Sequence, residues 1–230
     1  MIARISPRVL TGTVAAIPSK SEAHRALICA ALADAPTEIL MGPGSEDIEA
    51  TIRCLTAFGA KIERTDSGLR VLPITEIPTS CDADCGESGS TLRFLLPVAG
   101  ALGIDTRFHM HGRLPERPIA PLDRELTRGG CELSRPERDI LRITGKLRPG
   151  CYELPGDVSS QYISGLLFAL PILDGNSELC VVGQQCLDGS VPLLLGHLFA
   201  LYLFRGSSAF AGGKTHARHA HHGGSYDSQQ

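Results

Sequence analysis

The stretch PSKSEAHRALICAALA, residues 18–33, joins a hydroxylated and basic beginning to an almost wholly apolar remainder. A helix that is apolar on every side is expected in the interior of a protein. Its N-terminus carries unpaired backbone N–H groups and the positive end of the helix dipole, which together favour an anion. Serine caps such an end, but Lys20 and Arg25 are disfavoured there unless an anion is present. The stretch therefore predicts a buried helix whose beginning faces an anion.

Two later segments repeat this design, and they indicate three similar units. They are ESGSTLRFLLPVAGALG from Glu87 and DVSSQYISGLLFALPILDG from Asp157. When Ser19, Ser88 and Ser159 are aligned, successive segments are 69 and 71 residues apart. A repeat of about this length is typical of one supersecondary unit used several times.

A second kind of helix is predicted between the apolar ones. The segment DIEATIRCLTAFGAKIE from Asp47 resembles PIAPLDRELTRGGCEL from Pro118, again 71 residues apart when Ile48 and Ile119 are aligned. Each has an amphipathic pattern, then a glycine stop, then a short strand-like run. With the β-branched runs LRVLPI and ILRIT, each unit is predicted to be helix, strand, helix, strand, strand. Three such units packed together predict one α/β domain.

The composition excludes several classes of protein. Of the 230 residues 43% are apolar and 20% are charged, and the net charge of −3 does not suit a nucleic-acid-binding surface. The beginning MIARISPRVL lacks the apolar core of an export signal, and the apolar run at 191–204 is too short to span a bilayer. We therefore expect a cytoplasmic protein with neither nucleic acid nor membrane as a partner.

The eight cysteines are predicted to be reduced thiols, because no CxxC pair occurs and disulfides are rare in the cytosol. Cys81 and Cys85 leave open an alternative as metal ligands, although no histidine or further cysteine pair lies near them at a zinc-like spacing.

The residues at the helix starts indicate which class of ligand binds there. Ser21 and Arg25 are four residues apart and share a helix face, which suits bidentate recognition of phosphate or carboxylate. An alternative is that Arg25 pairs with Glu22 or with the acids of GSEDIE, residues 44–49.

Two further segments extend the predicted site. The loop GRLPERPIAPL, residues 112–122, carries Arg113 and Arg117 and is otherwise interpreted as a solvated turn. The tripeptide Ser159-Ser160-Gln161 offers hydroxyls and an amide, which suit a polyol. Together the segments predict a small, multiply anionic, hydroxylated ligand.

Four segments in this order resemble the enolpyruvyl transferase family of 3-phosphoshikimate 1-carboxyvinyltransferase, or EPSP synthase: PSKSEAHRALICAALA, CGESGSTLRFLLP, LPERPIAPL and DVSSQYISGLLFALPIL. The resemblance extends to about residue 187. It implies an inside-out α/β barrel domain of three βαβαββ-type units around buried parallel helices. It also implies transfer of the enolpyruvyl group of phosphoenolpyruvate to the 5-hydroxyl of shikimate 3-phosphate, with release of phosphate, in chorismate and aromatic amino acid biosynthesis.

The resemblance implies two groups of residues that contact shikimate 3-phosphate. Lys20, Ser21 and Arg25 form the first group, and Lys20 also reaches phosphoenolpyruvate and is the catalytic candidate of this chain. The second group is Ser159, Ser160 and Gln161.

The resemblance places phosphoenolpyruvate at a different pair of segments. Gly89 and Arg117 match phosphoenolpyruvate-binding positions, and Arg93 lies in the same motif. Glu87 and Ser90 stand where many members have asparagine and threonine, so we expect that phosphate-mimicking inhibitors bind differently here.

The implied mechanism is addition followed by elimination. An acid protonates the methylene carbon, the sugar hydroxyl attacks, and phosphate leaves while cationic groups stabilise the charge. No metal or organic cofactor is implied, and the full-length relatives are mostly monomeric. Family members are about twice as long, with two such domains. Residues 1–13 are expected to belong to the other domain and residues 14–190 to form this one, while the carboxylates that move protons lie in the other domain.

The repeat pattern is lost near residue 190. A charged amphipathic helix is expected there, but SVPLLLGHLFALYLFRG carries no charge between Asp188 and Arg205. Residues 207–230 are rich in Gly, Ser and His, and residues 191–230 are expected to be an aberrant, disordered tail, as after a frameshift or truncation. Two alternatives to EPSP synthase stay open: enolpyruvyl transfer to UDP-N-acetylglucosamine, and a non-catalytic anion-binding fragment. The former fits less well, because that family bears a reactive cysteine in its mobile loop, whereas the loop HGRLPERP has no cysteine.

Overall fold

The computed structural model of the chain describes residues 19–183 and the backbone of residues 216–219. The predicted strand segment 1–13 and most of the predicted tail 191–230 lie outside the described residues.

The described residues form three consecutive units. The first contains α1 (Lys20–Ala31), β1 (Thr37–Leu40), α2 (Glu46–Ala57), β2 (Lys61–Thr65) and β3 (Gly68–Leu72). The second contains β4 (Ser80–Asp84), α3 (Gly89–Leu102), β5 (Asp105–His109), α4 (Leu122–Arg128), β6 (Cys131–Glu137) and β7 (Ile140–Gly145). The third contains β8 (Cys151–Pro155), α5 (Ser160–Ala169), β9 (Glu178–Val182) and β10 (His216–His219). The predicted order of helix, strand, helix, strand, strand is confirmed in the first two units, and in the second an additional strand, β4, precedes it.

Each unit contributes one small sheet. The strand orders are β1-β3-β2, β4-β5-β7-β6 and β10-β9-β8. In the first two units the strand after the buried helix pairs antiparallel with the last strand, as β1–β3 and β5–β7. The corresponding pair of the third unit, β9–β10, is parallel. The third sheet therefore departs from the repeat at its last strand.

The sheets have one buried and one exposed face. Along β5 the side chains of Thr106 and Phe108 are buried, and Arg107 between them is exposed and bridges to Asp82 on β4 at 3.0 Å. The period of two that strands impose thus separates an inner apolar face from an outer charged face. Helices α3 and α5 are apolar and buried along most of their length, which places them inside the sheets.

Helices α1, α3 and α5 lie side by side with their starts at one level. The Phe94 ring, in the second turn of α3, lies 6.1 Å from the His24 ring of α1 and 5.7 Å from the Phe168 ring of α5. Close packing of α3 and α5 depends on Gly165, since a Cβ there would lie 2.4 Å from the backbone oxygen of Arg93. The buried helices therefore direct their N-termini to the same region, as the sequence predicts.

One helix begins later than the sequence predicts. The amphipathic segment starts at Pro118, but α4 comprises only Leu122–Arg128. Residues that precede a proline are disfavoured in helical conformation, and both Arg117 and Ala120 precede one. The residues before α4 remain a loop for this reason.

The seven described cysteines are free thiols, as predicted for them. Cys81 and Cys85 do not share a site: Cys81 Sγ lies 3.6 Å from Thr106 Oγ1, and Cys85 Sγ lies 3.9 Å from that of Cys54. Within residues 19–183 no group of three metal-ligating side chains occurs. In the same part of the chain, no helix has the length and apolarity that crossing a bilayer requires.

Candidate functional site

The three aligned serines cap the three buried helices. Ser19 Oγ accepts a hydrogen bond from the backbone N of Glu22 at 3.4 Å, and Ser88 Oγ accepts one from Thr91 N at 3.3 Å. Ser159 Oγ accepts one from the Gln161 backbone N at 3.2 Å. The 69- and 71-residue spacings thus mark equivalent N-caps, and each cap leaves other backbone N–H groups of the first turn without helical partners.

The start of α1 contains an ion pair that crosses to α2. Lys20 Nζ lies 2.5 Å from Asp47 Oδ2, and both side chains are partly exposed. Burial alone raises the pKa of Asp47, but hydrogen bonding and charge from Lys20 and a hydrogen bond from Ser88 hold it below its usual value. Asp47, one of the acids of GSEDIE offered to Arg25 as an alternative partner, thus pairs with Lys20.

Arg25 is directed inward rather than toward those acids. Its side chain is 2% exposed, and Nη1 donates to the Ser21 carbonyl at 2.8 Å and to Ser21 Oγ at 2.5 Å. Nη2 donates to Ser164 Oγ of α5 at 3.2 Å, and the guanidinium lies 5.1 Å from the centre of the Phe94 ring. The predicted Ser21–Arg25 pairing on one helix face is confirmed. The guanidinium also joins the starts of α1 and α5.

Two guanidinium groups converge at the start of α3. A Cβ placed on Gly89 would lie 2.9 Å from Arg93 Nη1 and 3.1 Å from Arg117 Nη1. Arg117 follows the 3-10 turn Leu114–Glu116 and is exposed, and its guanidinium has no hydrogen-bond or ion-pair partner within residues 19–183. The missing side chain of Gly89 thus leaves open the space that these two cations border.

Arg93 is held in place by α5. Its Nη1 donates to Gln161 Oε1 at 2.8 Å, and Gln161 Nε2 donates to Ser90 Oγ at 2.8 Å. The ring of Tyr162 lies 5.7 Å below the guanidinium, and its hydroxyl donates to the Pro118 carbonyl at 2.8 Å. Gln161 therefore orients a cation of α3, while Tyr162 fixes the loop that carries Arg117.

The structure brings the nine predicted site residues to the starts of three helices and one adjoining loop. Ser159, Ser160 and Gln161 are half-buried at the beginning of α5, while Ser21 is exposed in the first turn of α1. The direct contacts described above join Ser21 to Arg25 and Arg93 to Gln161. Arg113, from the same loop as Arg117, is exposed and faces Glu116 at 3.9 Å, as expected of a solvated turn.

Sequence reasoning missed the residues that hold the predicted ones. Ser164 accepts a hydrogen bond from Arg25 across 139 positions, and Asp47 binds Lys20 across 27. A buried polar row on α2 and α3, Thr51 and Thr91, was also missed. The signal for these residues is a lone polar side chain on an otherwise apolar helix face, as at Ser164 in ISGLL.

The arrangement suits anions better than a metal ion. Its side-chain donors are an ammonium, three guanidiniums, serine hydroxyls and an amide, and helix N-termini add backbone N–H groups. Hard divalent cations prefer carboxylate oxygens, and Asp47 is engaged by Lys20 and Ser88. These groups are therefore of the kind that can bind and neutralise phosphate or carboxylate groups.

The comparisons with known proteins agree on one family. The sequence model described as EPSP synthase (3-phosphoshikimate 1-carboxyvinyltransferase) matches residues 5–187. Curated relatives of that name include proteins from Clostridium beijerinckii (39% identical over 202 residues, 84% of this chain and 46% of the relative) and Clostridium kluyveri (41% over 178 residues, 76% and 42%). The chain thus spans about half the length of the curated relatives it matches.

Solved structures support the fold. An EPSP synthase structure from Acinetobacter baumannii aligns with a TM-score of 0.65 at 24% identity, covering 78% of this chain and 42% of that one. This likeness confirms the α/β architecture expected from the repeat. From the extent of the family match, the chain belongs to the EPSP synthase (3-phosphoshikimate 1-carboxyvinyltransferase) family.

Proposed function

We propose that the three helix starts bind shikimate 3-phosphate and phosphoenolpyruvate, and that this binding serves enolpyruvyl transfer to the 5-hydroxyl of shikimate 3-phosphate. Family membership supports this reaction, and the names of the curated relatives state it. The observation that carries the proposal is the convergence of Arg93 and Arg117 on Gly89. Two guanidiniums around an open backbone position suit the carboxylate or phosphate of phosphoenolpyruvate.

The remaining predicted residues suit the second substrate. Lys20 and Ser21 are exposed in the first turn of α1, where a phosphate gains from the helix dipole and from charge-assisted hydrogen bonds. Ser159, Ser160 and Gln161 supply hydroxyl and amide groups for the ring hydroxyls. Residues that bind phosphate and residues that bind a polyol thus lie at neighbouring helix starts.

Titration calorimetry with the whole chain tests the proposal. We expect weak binding of shikimate 3-phosphate, binding of phosphoenolpyruvate in its presence, and no binding of UDP-N-acetylglucosamine. Lys20→Ala should lower the affinity for shikimate 3-phosphate, and Arg117→Ala should lower the affinity for phosphoenolpyruvate. Each loss should be about tenfold or more, because a charge-assisted hydrogen bond contributes about 1.5–3 kcal/mol.

The matched control removes a cation outside the site. Arg107 is exposed on the outer face of β5 and bridges to Asp82, so Arg107→Ala should leave both affinities unchanged. Binding of the UDP-sugar alone would favour the sister activity. If Arg107→Ala and Arg117→Ala lost the same affinity for phosphoenolpyruvate, binding would depend on net charge alone. That result would contradict a specific site.

A further inference from the structure

A row of buried polar side chains connects three helices beneath the proposed site. His24 Nδ1 of α1 lies 2.7 Å from Thr51 Oγ1 of α2, and Thr51 Oγ1 lies 2.7 Å from Thr91 Oγ1 of α3. Thr91 Oγ1 lies 2.8 Å from Ser88 Oγ and 3.3 Å from the backbone carbonyl oxygen of Asp47 on α2. His24, Thr51 and Thr91 are fully buried, and Ser88 is 2% exposed. The row ends at the Ser88 cap and at the backbone of Asp47, the residue whose carboxylate binds Lys20.

The direction of every hydrogen bond in this row follows from its last member. The Thr91 hydroxyl donates to Ser88 Oγ at 2.8 Å, and the Asp47 carbonyl at 3.3 Å is an acceptor only. Because Thr91 has a single hydroxyl proton and directs it to these acceptors, its oxygen accepts the proton of Thr51.

The same logic assigns the proton of the imidazole. Because the Thr51 hydroxyl donates to Thr91, its oxygen accepts from His24, and Nδ1 must carry the hydrogen. Nε2 is then a bare acceptor, and it is buried without a hydrogen-bond partner within residues 19–183. Protonation of Nε2 would leave a buried N–H unsatisfied. Burial lowers the pKa of His24 to about 4, so the ring is neutral at pH 7.

We propose that His24, Thr51 and Thr91 are positioning residues for Lys20, and that the Nδ1–H tautomer of His24 orients a one-way row of hydrogen bonds that ends at Ser88 and at the backbone carbonyl of Asp47. The row fixes the backbone of Asp47 against α3, so the carboxylate that binds Lys20 keeps one place beside the start of α1. The role assigned to Lys20 rests on the proposed function. The tautomer and the direction of the row do not.

Nitrogen NMR of the histidine side chains, recorded without ligand on the whole chain, tests the row. We expect a protonated Nδ1 and an unprotonated Nε2 for His24. Thr91→Val removes the acceptor of the Thr51 proton, which becomes free to point at His24, so the Nε2–H tautomer should appear. Thr91→Ser keeps a hydroxyl and should restore the Nδ1–H form. An Nε2–H tautomer in the unchanged chain, or an unchanged tautomer in Thr91→Val, would overturn the row.

A second readout tests positioning at the far end. The Nζ and Cε resonances of Lys20 should shift in Thr91→Val and return in Thr91→Ser. The affinity for shikimate 3-phosphate should fall roughly threefold to tenfold in Thr91→Val, the effect of losing one hydrogen bond. Thr106→Val is the matched control, because Thr106 is equally buried but lies on β5 and donates to the Ile104 carbonyl.

The outcomes separate the two proposals. A tautomer change that leaves the Lys20 resonances where they were would overturn the positioning role. Equal effects of Thr106→Val and Thr91→Val would also overturn it, since any buried hydroxyl would then serve. Failure of the unchanged chain to bind shikimate 3-phosphate would refute the proposed function, while the ligand-free resonances would still decide the positioning role.

Discussion

At the scale of single residues, the absence of a side chain at Gly89 determines how two cations are arranged. The position is buried at the first residue of α3, and the atoms that a Cβ would meet are the guanidinium nitrogens of Arg93 and Arg117. Those atoms end flexible side chains and can move by tenths of an ångström at little cost. An added methyl group would therefore change the space between the cations and leave the packing of α3 intact.

Gly89→Ala is predicted to weaken phosphoenolpyruvate binding roughly tenfold, or about 1.4 kcal/mol, because both guanidiniums must withdraw from the space they border. Its free energy of unfolding should stay close to that of the unchanged chain. Calorimetry and urea denaturation measure the two quantities. Gly150→Ala is the control, since a Cβ there would meet no atom within 4 Å. An equal loss of affinity in both variants would contradict the assignment of Gly89 to the site.

Pairs of residues show where sequence reasoning succeeds. Ser21 and Arg25 are four positions apart, so helical periodicity predicts their contact, and the structure shows it. Lys20 and Asp47 are 27 positions apart on different helices, and their pairing depends on how α1 packs on α2. Charge pattern alone offered Asp47 to Arg25 as readily as to Lys20. Burial decided between them, because Arg25 points into the core.

At the scale of elements, α3 and α5 contact each other at Gly165, where an added Cβ would meet backbone atoms instead of side-chain ends. A Cβ on Gly165 would lie 2.4 Å from the Arg93 backbone oxygen and 3.1 Å from Pro97 Cγ. Backbone atoms cannot withdraw without moving a helix. The distance between α3 and α5 is therefore set by this residue, and that distance determines whether Gln161 reaches Arg93.

Gly165→Ala is predicted to lower the free energy of unfolding by about 1–3 kcal/mol, the usual effect of overpacking a core. Urea denaturation with an unchanged m-value checks the prediction. The same substitution at Gly89 is the matched comparison, because it meets side-chain ends instead of backbone. Equal stability of the two variants would show that the helices can separate freely, contrary to the close contact described.

Helix starts were predictable from the sequence where a serine cap precedes an apolar run, as at Ser88 and Ser159. The start of α4 was not, because the amphipathic period continues through prolines that exclude helical conformation. The spacing of apolar residues predicts which face of a segment is buried, whereas the positions of prolines determine where its backbone can be helical. The two signals disagreed between Pro118 and Pro121, and the backbone restriction prevailed.

At the scale of the whole molecule, the 70-residue repeat predicted the fold because each unit is too small to bury its own helix. Three central helices must then share one core, and their capped starts meet at one end. The parallel pairing of β9 with β10 was not predictable, since the repeat calls for an antiparallel neighbour there. The loss of the repeat near residue 190 indicated that the third unit would differ, but not how.

The final prediction concerns turnover. Enolpyruvyl transfer needs an acid that protonates the methylene carbon of phosphoenolpyruvate. The Asp47 carboxylate is engaged by Lys20 and Ser88 and has a lowered pKa, so it is ionised at neutral pH and is a poor acid. Glu87, beside Gly112 and one residue before the Ser88 cap, is a second carboxylate near the start of α3. Because the resemblance assigns proton transfer to the other domain, we expect this chain to bind both substrates without turning them over.

Phosphate release from phosphoenolpyruvate with shikimate 3-phosphate, compared with the background without protein, measures that turnover. The expected rate is indistinguishable from the background, because bound cations stabilise charge but supply no proton to carbon. Release that Glu87→Gln abolishes would locate the acid within this chain. It would contradict the assignment of proton transfer to the other domain. Release that Glu87→Gln leaves intact, but that Lys20→Ala abolishes even at saturating shikimate 3-phosphate, would instead assign a catalytic role to the Lys20 ammonium.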